Sequence, residues 1–255
     1  MNTELRLQAL QGFPAVEPGD DLPELICQAL QDNGIDLIDG DLLVIAQKIV
    51  SKAENRYVRL AEVEPSQRAI ELAPCADKDP RLVELILRES VEVLRTRPGA
   101  LIVQHRNGYV HANAGIDQSN IRSEPDDPRV LLLPLDPDAS AANLRDAIRH
   151  RCAIDVAVII NDSAGRAWRQ GIIGFALGTA GFEPVENRIG EADLYGRALQ
   201  ITEVAVADEL AAAASHLMGQ AAEGTPVVFI RGARVRPSNC GSKTLIRPPA
   251  QDLFR

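Results

Sequence analysis

The segment from Asn161 to Arg169 combines residue types that suit a metal ion and a phosphate group. A carboxylate beside a hydroxyl suits Mg²⁺ or Mn²⁺, which prefer hard oxygen ligands, and arginine suits phosphate. The apolar run Val156–Ile160 directly before it is typical of a buried strand, so the pattern predicts a functional loop at a strand end. The alternative is a solvated turn whose acid caps a following helix. The polar side chains concerned are Asp162, Ser163, Arg166 and Arg169.

A second polar segment, from His111 to Asn120, places another carboxylate, Asp117, among amides and a hydroxyl group. Together with Ser51–Glu54, Leu217–Gln220 and the first segment, it resembles the coenzyme F-420 gamma-glutamyl ligase family. The resemblance runs from about residue 7 to about residue 232, and the motifs follow the family's order. It implies a ligase that joins L-glutamate to a deazaflavin precursor at the expense of GTP, which is converted to GDP and phosphate.

The composition is that of an acidic protein with an ordinary apolar content. The chain has 255 residues, 45% of them hydrophobic, and a formal net charge of -9. This length allows one large domain or two small ones, and the negative charge argues against a nucleic-acid partner. No apolar run approaches the roughly 18 residues that a membrane span needs. The start of the chain lacks the apolar region of a secretory signal.

The cysteines predict an intracellular environment. Cys27, Cys75, Cys152 and Cys240 are far apart in the sequence and form no CxxC pair. This spacing indicates neither a zinc site nor a small disulfide scaffold, and it favours reduced thiols. We therefore expect a cytoplasmic protein.

Helix signals and strand signals alternate in the first third of the chain. Asp20 or Asp21 is predicted to cap a helix with Pro23 in its first turn, which Asn33–Gly34 ends. Residues 41–46 are predicted to form a buried strand.

The next segment is predicted to contain a helix and a hairpin. Asp79–Pro80 should start the helix, whose apolar face takes in residues as far as Leu94. Asn107–Gly108 predicts a two-residue turn between strands 101–105 and 109–112.

The second half yields three further elements. Ser140 is predicted to cap a helix that leads into the strand at Val156. Large residues alternate with small ones from Ile173 to Gly178. This pattern predicts a strand whose face of small residues lets another backbone come close. An Ala-rich helix follows, with its buried stripe at positions 207, 210, 211, 214, 217 and 218, and residues 226–230 are predicted to form the last strand.

Mixed hairpins and helices indicate an α+β fold with mixed sheets. The resemblance implies a two-lobed protomer of the gamma-glutamyl ligase type. We expect a single domain over residues 1–236, with a loop near 123–138 between the lobes, a loose tail over 237–255 and no fused reductase domain. The sequence has no GxxxxGK[ST] motif and no GxGxxG after a strand, so we expect neither a P-loop nor a Rossmann motif.

The resemblance implies two divalent ions per subunit, Mg²⁺ or Mn²⁺, and allows a K⁺ ion. Asp117 and Asp162 are the acids that would hold the metals, and Ser163 would supply a neutral oxygen. Gln220 aligns with a third metal position of the family, where an amide adds no charge. For each aspartate alone, the alternative is a helix cap or a turn.

The resemblance also assigns residues to GTP. Lys52 would act as a point charge near phosphate, the alternative being a solvated surface lysine. Gln47 and Lys48 depart from the small hydroxyl residues of archaeal-type relatives. Gly219 and Gly224 would let backbone N–H groups approach phosphate, although Gly219 would also end a helix. The full set is Phe13, Pro14, Ala15, Val16, Gln47, Lys48, Lys52, Asn120, Met218, Gly219, Gln220, Gly224 and Thr225.

The remaining conspicuous side chains receive simpler interpretations. Arg166, grouped with Asp117 and Asp162 as catalytic, and Arg169 would bind phosphate or the anionic precursor, or would pair with surface acids. Trp168 is predicted to pack, Asp208–Glu209 to lie on a solvated helix face, and His111 and His216 to have no catalytic role.

Three other functions fit the same residues. One is the same ligase chemistry on another carboxylate acceptor, the second a nucleotide-binding regulator without turnover, and the third a metal-dependent phosphohydrolase. The expected partners are GTP, L-glutamate, the deazaflavin precursor and a second copy of the chain. The small residues between Ile172 and Gly181 would suit close approach of the two subunits.

Overall fold

The computed structural model of the protein describes residues 4–252. Residues 1–3 at the predicted signal-free start and residues 253–255 of the predicted tail lie outside this range. The strands are Arg6–Ala9 (β1), Leu42–Ala46 (β2), Tyr57–Arg59 (β3), Ser90–Arg97 (β4), Ala100–His105 (β5), Val110–Ala112 (β6), Arg129–Leu131 (β7), Ala157–Arg166 (β8), Arg169–Phe182 (β9), Glu186–Asn187 (β10), Glu203–Val204 (β11), Val227–Arg231 (β12) and Pro237–Ser238 (β13). The helices are Leu22–Asp32 (α1), Gln47–Ala53 (α2), Gln67–Ala76 (α3), Pro80–Arg88 (α4), Pro137–Cys152 (α5) and Val206–Met218 (α6).

The main sheet has six strands in the order β1-β12-β2-β8-β9-β13. The central pair β2 and β8 is parallel, and every other neighbouring pair is antiparallel. Helices cover both faces of this sheet. The central strands are therefore buried on both sides, and their sequences are continuous apolar runs. Leu43 and Ile45 pack with α1, α2 and α5, whereas Leu42 and Val44 pack with α6.

A second unit, formed mainly by residues 57–132, has its own apolar core. It contains the sheets β3-β7 and β4-β5-β6 with helices α3 and α4. Its buried residues, such as Ile86, Leu101 and Val130, form a cluster separate from those on the main sheet. The predicted α+β class is confirmed, and two cores of this kind suit a two-lobed protomer. None of the helices within residues 4–252 is long and apolar enough to cross a membrane.

Local signals locate several elements correctly. Asp21 caps α1 by accepting a hydrogen bond from the Glu24 amide at 3.1 Å. Asp79 caps α4 in the same way, with the Arg81 amide at 2.8 Å. The hairpin between β5 and β6 is also present, but its turn has three residues, 106–108, between the opposing His105 and Tyr109, with Gly108 at a φ of 102°. The signals involve residues close in sequence; the two caps and the hairpin are confirmed, and the two-residue length of the turn is wrong.

The predicted loop from Asn161 to Arg169 is wrong. Strand β8 continues to Arg166 and pairs with β9, and the chain turns at residues 167–168, where Trp168 has a φ of 63°. The polar residues therefore lie on a hairpin arm that extends beyond the main sheet. Strand β9 supplies hydrogen-bond partners for the backbone groups of this segment. The apolar run before the segment does not predict this partner strand.

Two further element predictions are wrong. Helix α4 ends at Arg88, and Leu94 lies on β4, because residues 90–97 pair with β5 as a strand instead. Asp136, not Ser140, caps α5. Ser140 lies in the first turns, where its hydroxyl donates to the Asp136 carbonyl at 3.1 Å.

The end of the chain also differs from the prediction. Leu217 on α6 is 40% exposed, although the other residues of its predicted stripe are buried. Strand β12 is followed by β13, which pairs with β9. Ser242, within the predicted loose tail, is buried and donates its hydroxyl hydrogen to the Leu177 carbonyl at 2.7 Å. This part of the tail therefore packs on the main sheet.

The cysteines include one contact that the sequence does not show. The Sγ atoms of Cys27 on α1 and Cys152 on α5 lie 3.6 Å apart, although both thiols are free. Burial raises the pKa of Cys27 to about 12, so this thiol stays protonated.

The small residues of β9 allow two helices to approach the sheet from opposite sides. A Cβ atom on Gly174 would lie 2.4 Å from Ser215 Cβ on α6, and one on Gly178 would lie 2.2 Å from the Pro137 carbonyl oxygen on α5. The faces differ because a bulge between these residues reverses the alternation of the strand. The predicted close backbone approach is confirmed, and helices of the same chain make it.

Because backbone atoms of α5 leave no space for a side chain, we expect Gly178→Ala to lower the free energy of unfolding by about 1–3 kcal/mol. Chemical denaturation measures this change. Gly165→Ala is the matched control on β8, because no atom lies within 4 Å of its added Cβ. Equal stability of the two variants would contradict the packing role of Gly178.

Candidate active site

A cavity of about 690 Å³ opens where the main sheet meets the second unit. It gathers all the residues that the sequence assigned to nucleotide or metal, so positions spread over the chain share one site. These residues are Phe13, Pro14, Ala15, Val16, Gln47, Lys48, Lys52, Asp117, Asn120, Asp162, Ser163, Met218, Gly219, Gln220, Gly224 and Thr225.

The parallel pairing of β2 with β8 places two of the cavity walls side by side. Ala46 at the end of β2 lies opposite Asn161. The carboxyl ends of parallel strands meet at one edge of a sheet, where α/β proteins commonly bind ligands. The chain passes directly from β2 into α2, which brings Gln47 and Lys48 to this edge beside Asp162.

Asp117 comes from the second unit and faces this edge. Its backbone pairs with Leu131 through two hydrogen bonds of 2.9 Å. Its carboxylate forms an ion pair with Lys48 and accepts a hydrogen bond from Gln47 Nε2. Burial raises the pKa of Asp117, the Lys48 ammonium opposes that shift, and the nearby Asp162 charge adds to it.

Asp162 contacts a histidine that the sequence analysis left without a role. His111 Nε2 lies 3.1 Å from Asp162 Oδ2, and its Nδ1 lies 2.9 Å from the Ala112 carbonyl oxygen. Burial alone would lower the pKa of His111, but the hydrogen bond and charge of Asp162 outweigh it and the net shift is upward. Only its position in the segment that carries Asp117 could have suggested this contact.

Two lysines on α2 make one wall of the cavity cationic. Burial lowers the pKa of Lys52, and the neighbouring Lys48 lowers it further. Lys52 is partly buried in the cavity rather than free on the surface. Lys48 and Lys52 are thus placed as point charges for an anionic group.

The segment after α6 forms a preshaped loop on the opposite wall. Gly219 has a φ of 74°, and a Cβ atom there would lie 2.1 Å from the Glu223 carboxyl carbon. The Glu223 carboxylate accepts a hydrogen bond from the Ala221 amide at 2.8 Å. The Thr225 hydroxyl donates to the Met218 carbonyl at 3.1 Å. Gly219 therefore both ends the helix and shapes the loop.

Polar contacts join this loop to the rest of the cavity. Asn120 of the second unit donates from Nδ2 to the Ala221 carbonyl at 2.8 Å. Gln220 donates from Nε2 to Ser215 on α6 at 3.0 Å, which leaves its amide oxygen for a ligand. Buried Asn161 donates from Nδ2 to Met218 Sδ at 3.7 Å.

Arg166 lies outside this cavity. It lines a second cavity of about 410 Å³ formed by the hairpin arm, Tyr109, Phe175 and the segment near Lys243. Its guanidinium group donates to the Gly171 carbonyl at 3.1 Å, and the residue is exposed. The structure thus separates Arg166 from Asp117 and Asp162.

Two of the simpler interpretations are wrong. Trp168 does not pack within the chain, because it is 88% exposed at the tip of the hairpin arm. Asp208 is half-buried and accepts a hydrogen bond from the Ala176 amide at 2.9 Å, which helps to hold α6 against β9. Glu209 is exposed, as predicted.

The oxygen ligands fit divalent cations that bind together with a nucleotide. Residues 4–252 contain no group of three or more His, Cys, Asp and Glu side chains that could hold a metal ion alone. Mg²⁺ is usually bound through one or two carboxylates together with substrate phosphates. Asp117 and Asp162, with Ser163 and Gln220 in the same cavity, match that mode. The Lys48 ammonium group already forms an ion pair with Asp117.

Comparisons with known proteins identify a family and named relatives. The family described as F420-0:Gamma-glutamyl ligase matches residues 12–232. A protein of Methanothermobacter thermautotrophicus named coenzyme F420:L-glutamate ligase is 48% identical over 254 residues, which is 98% of this chain and 99% of the relative.

Two further relatives carry the same name. The protein of Methanopyrus kandleri is 44% identical over 98% of both chains. That of Archaeoglobus fulgidus is 42% identical over 96% of this chain and 94% of its own length. Because the family match covers most of the chain, including every residue assigned to the cavity, the protein belongs to the F420-0:gamma-glutamyl ligase family.

Proposed function

We propose that this protein is a cytoplasmic, GTP-dependent ligase that adds L-glutamate to the deazaflavin precursor of coenzyme F-420. Family membership and the names of the relatives support glutamate ligation in the synthesis of this coenzyme. One observation carries the finer proposal. Two partly buried aspartates, Asp117 and Asp162, face one cavity that also holds two lysines and a glycine-containing loop.

The proposed reaction overcomes the unfavourable joining of an amine to a carboxylate in water. The acceptor carboxylate takes the γ-phosphoryl group of GTP, so that GDP leaves and an acyl phosphate forms. The glutamate nitrogen then attacks the acyl carbon. The bond between that carbon and the phosphate oxygen breaks, phosphate leaves, and the nitrogen loses a proton.

Asp117 and Asp162 would hold two divalent ions, Mg²⁺ or Mn²⁺, with Ser163 and Gln220 as neutral oxygen ligands. Such ions neutralise charge on the transferred phosphoryl group and orient it. A K⁺ ion belongs to the same proposal, with no residue assigned to it. Catalysis by the chain's own residues then consists mainly of positioning and electrostatic stabilisation.

The nucleotide would lie between the two walls of the cavity. Lys48 and Lys52 are placed to contact its phosphates, and the loop from Met218 to Thr225 offers backbone amides. Phe13–Val16 and Asn120 complete the enclosure. A pocket that hydrogen-bonds a guanine edge leaves groups unpaired with adenine, and this is the physical basis for a preference for GTP.

Arg166 would serve the acceptor rather than the nucleotide. It lines the second cavity, whose walls include Tyr109 and Phe175. Such apolar and aromatic walls are typical of small-molecule sites. Adjacent residues of the hairpin arm, Ser163 and Ala164, line the two cavities, so an acceptor lying along the arm would bring its carboxylate to the metal ions held at Asp162.

A test of the activity is incubation with GTP, Mn²⁺, L-glutamate and the deazaflavin precursor, with product masses read by mass spectrometry. We expect the glutamylated precursor, with GDP and phosphate in equal amounts, and lower catalytic efficiency with ATP. Nucleotide cleavage that needs no acceptor would instead identify a phosphohydrolase, and binding without turnover a regulator. Equal efficiency with ATP would remove only the nucleotide preference.

The two aspartates can be tested separately. Asp117→Asn and Asp162→Asn keep size but remove a ligand charge, so we expect turnover at saturating Mn²⁺ to fall about a hundredfold or more. Melting curves without metal should change little, because the loss of each ion pair is offset by relief of repulsion between the two acids. Near-normal turnover would take that residue out of the metal site.

Asp79→Ala is the control for the structural interpretation of an aspartate. Asp79 caps α4 away from the cavity. We expect this variant to lose about 1 kcal/mol of stability and to keep its turnover.

We also propose a homodimer, with the subunit contact on the exposed segment 188–202. Leu194, Tyr195 and Ile201 in this segment are 99%, 90% and 87% exposed. Clustered exposed apolar residues mark interaction surfaces. The small residues of β9 are already used by α5 and α6, so they do not serve this contact.

Light scattering at micromolar concentration should give the mass of a dimer. The double variant Leu194→Asp and Ile201→Asp should be monomeric, because it places charges in the contact. Val91→Asp on β4 is the matched control, since Val91 is 69% exposed outside that segment. A monomeric unaltered protein would contradict the proposal.

A further inference from the structure

The two aspartates of the proposed metal site come from different units of the chain. Asp162 lies on β8 of the main sheet, and Asp117 follows β6 of the second unit. Their separation therefore depends on how the two units are held together. His111 lies on β6, yet its side chain reaches Asp162 across the junction.

The His111 ring has a fixed position. On its strand, His111 pairs with Val103 of β5, and its side chain is 8% exposed. The ring centroid lies 5.8 Å from that of Phe175 and 6.5 Å from that of Tyr109. Nδ1 faces the Ala112 carbonyl oxygen and Nε2 faces Asp162 Oδ2, and because a carboxylate oxygen only accepts, the bond to Asp162 is donated by Nε2–H.

The backbone that follows His111 also fixes the position of Asp117. A tight turn at Asn113–Gly115 follows β6, and Asn113, Ala114 and Gly115 all have a positive φ. The Asn113 side chain accepts a hydrogen bond from the Leu101 amide at 3.0 Å, and Asp117 then pairs with Leu131. The histidine and the second aspartate are thus parts of one rigid segment.

We propose that His111 is a positioning residue, which holds the Asp162 carboxylate by Oδ2 and so fixes its distance from Asp117. The other oxygen, Oδ1, is left for a metal ion. This inference rests on the metal site of the proposed function. Hydrogen-bonded partners of metal ligands commonly change metal affinity 10–100-fold when they are removed, so the effect is measurable.

Two variants separate positioning from packing. His111→Gln places an amide nitrogen where Nε2 lies and keeps the donor, but it loses the ring. His111→Phe keeps a ring against Phe175 and Tyr109, but it loses the donor. Both replacements are uncharged, so the difference between them reports the hydrogen bond. His216→Phe, on an exposed position of α6, is the control for loss of a histidine.

The primary measurement is Mn²⁺ affinity of the protein without and with GTP, from the free-ion signal in electron paramagnetic resonance titrations. Turnover at saturating Mn²⁺ and melting curves without metal accompany it. We expect His111→Phe to bind Mn²⁺ about tenfold or more weakly than His111→Gln. Turnover should follow the same order, and the control should match the unaltered protein. If His111→Phe does not fold, His111→Leu, which also lacks a donor, replaces it.

The reverse order, with His111→Phe close to the unaltered protein and His111→Gln impaired, would establish packing and overturn the inference. Equal Mn²⁺ affinity of all variants would overturn it as well, while the proposed ligase function would stand. If the unaltered protein binds no Mn²⁺ with or without GTP, the metal site of the proposed function fails, and the role of His111 fails with it.

Discussion

The parallel pairing of β2 with β8 in the middle of the main sheet is the constraint on which the site depends. Both strands are buried on both faces, so their register is fixed by apolar packing on each side. A shift by one residue would place every side chain on the wrong face. The same register puts Ala46 opposite Asn161, and the residues that directly follow them, Gln47, Lys48, Asp162 and Ser163, line the cavity.

The charges at this edge are balanced within the protein. Asp117 is paired with Lys48, and Asp162 is paired with His111, each partner coming from the other unit. Two carboxylates without such partners would be costly to bury together, because desolvation and mutual repulsion both oppose ionisation. The paired arrangement therefore gives each carboxylate in the cavity a partner from the other unit.

The sequence predicts best where the physical cause is local. The Asp21 cap, the Asp79 cap and the hairpin at Asn107–Gly108 each depend on atoms within a few residues. The residues that line the cavity were predicted through motif resemblance, since no local property distinguishes Asp117 from an ordinary turn aspartate. Their convergence follows from sheet pairing between distant segments.

The predictions that were wrong concern features set by contacts between residues that are distant in the sequence. Asn161–Arg169 has the composition of a loop, and only its pairing with β9 makes it a hairpin arm. Leu94 fits a helical period, yet residues 90–97 pair with β5 as a strand. His111 has no signal of its own, because its partner lies 51 residues away and in the other unit. Such contacts are properties of the tertiary structure.

The location of the cavity between two apolar cores links ligand affinity to conformational stability. A ligand that touches both walls adds a bridge between the cores, and free ligand at a hundred times its dissociation constant stabilises the folded state by about 2.7 kcal/mol. A substitution that loosens the contact between the cores weakens ligand binding to the extent that it lowers the population of the arrangement that binds, even when it lies far from the cavity. Thermodynamic linkage therefore makes the whole junction, including bonds such as that from Asn120 to the Ala221 carbonyl, part of the binding equilibrium.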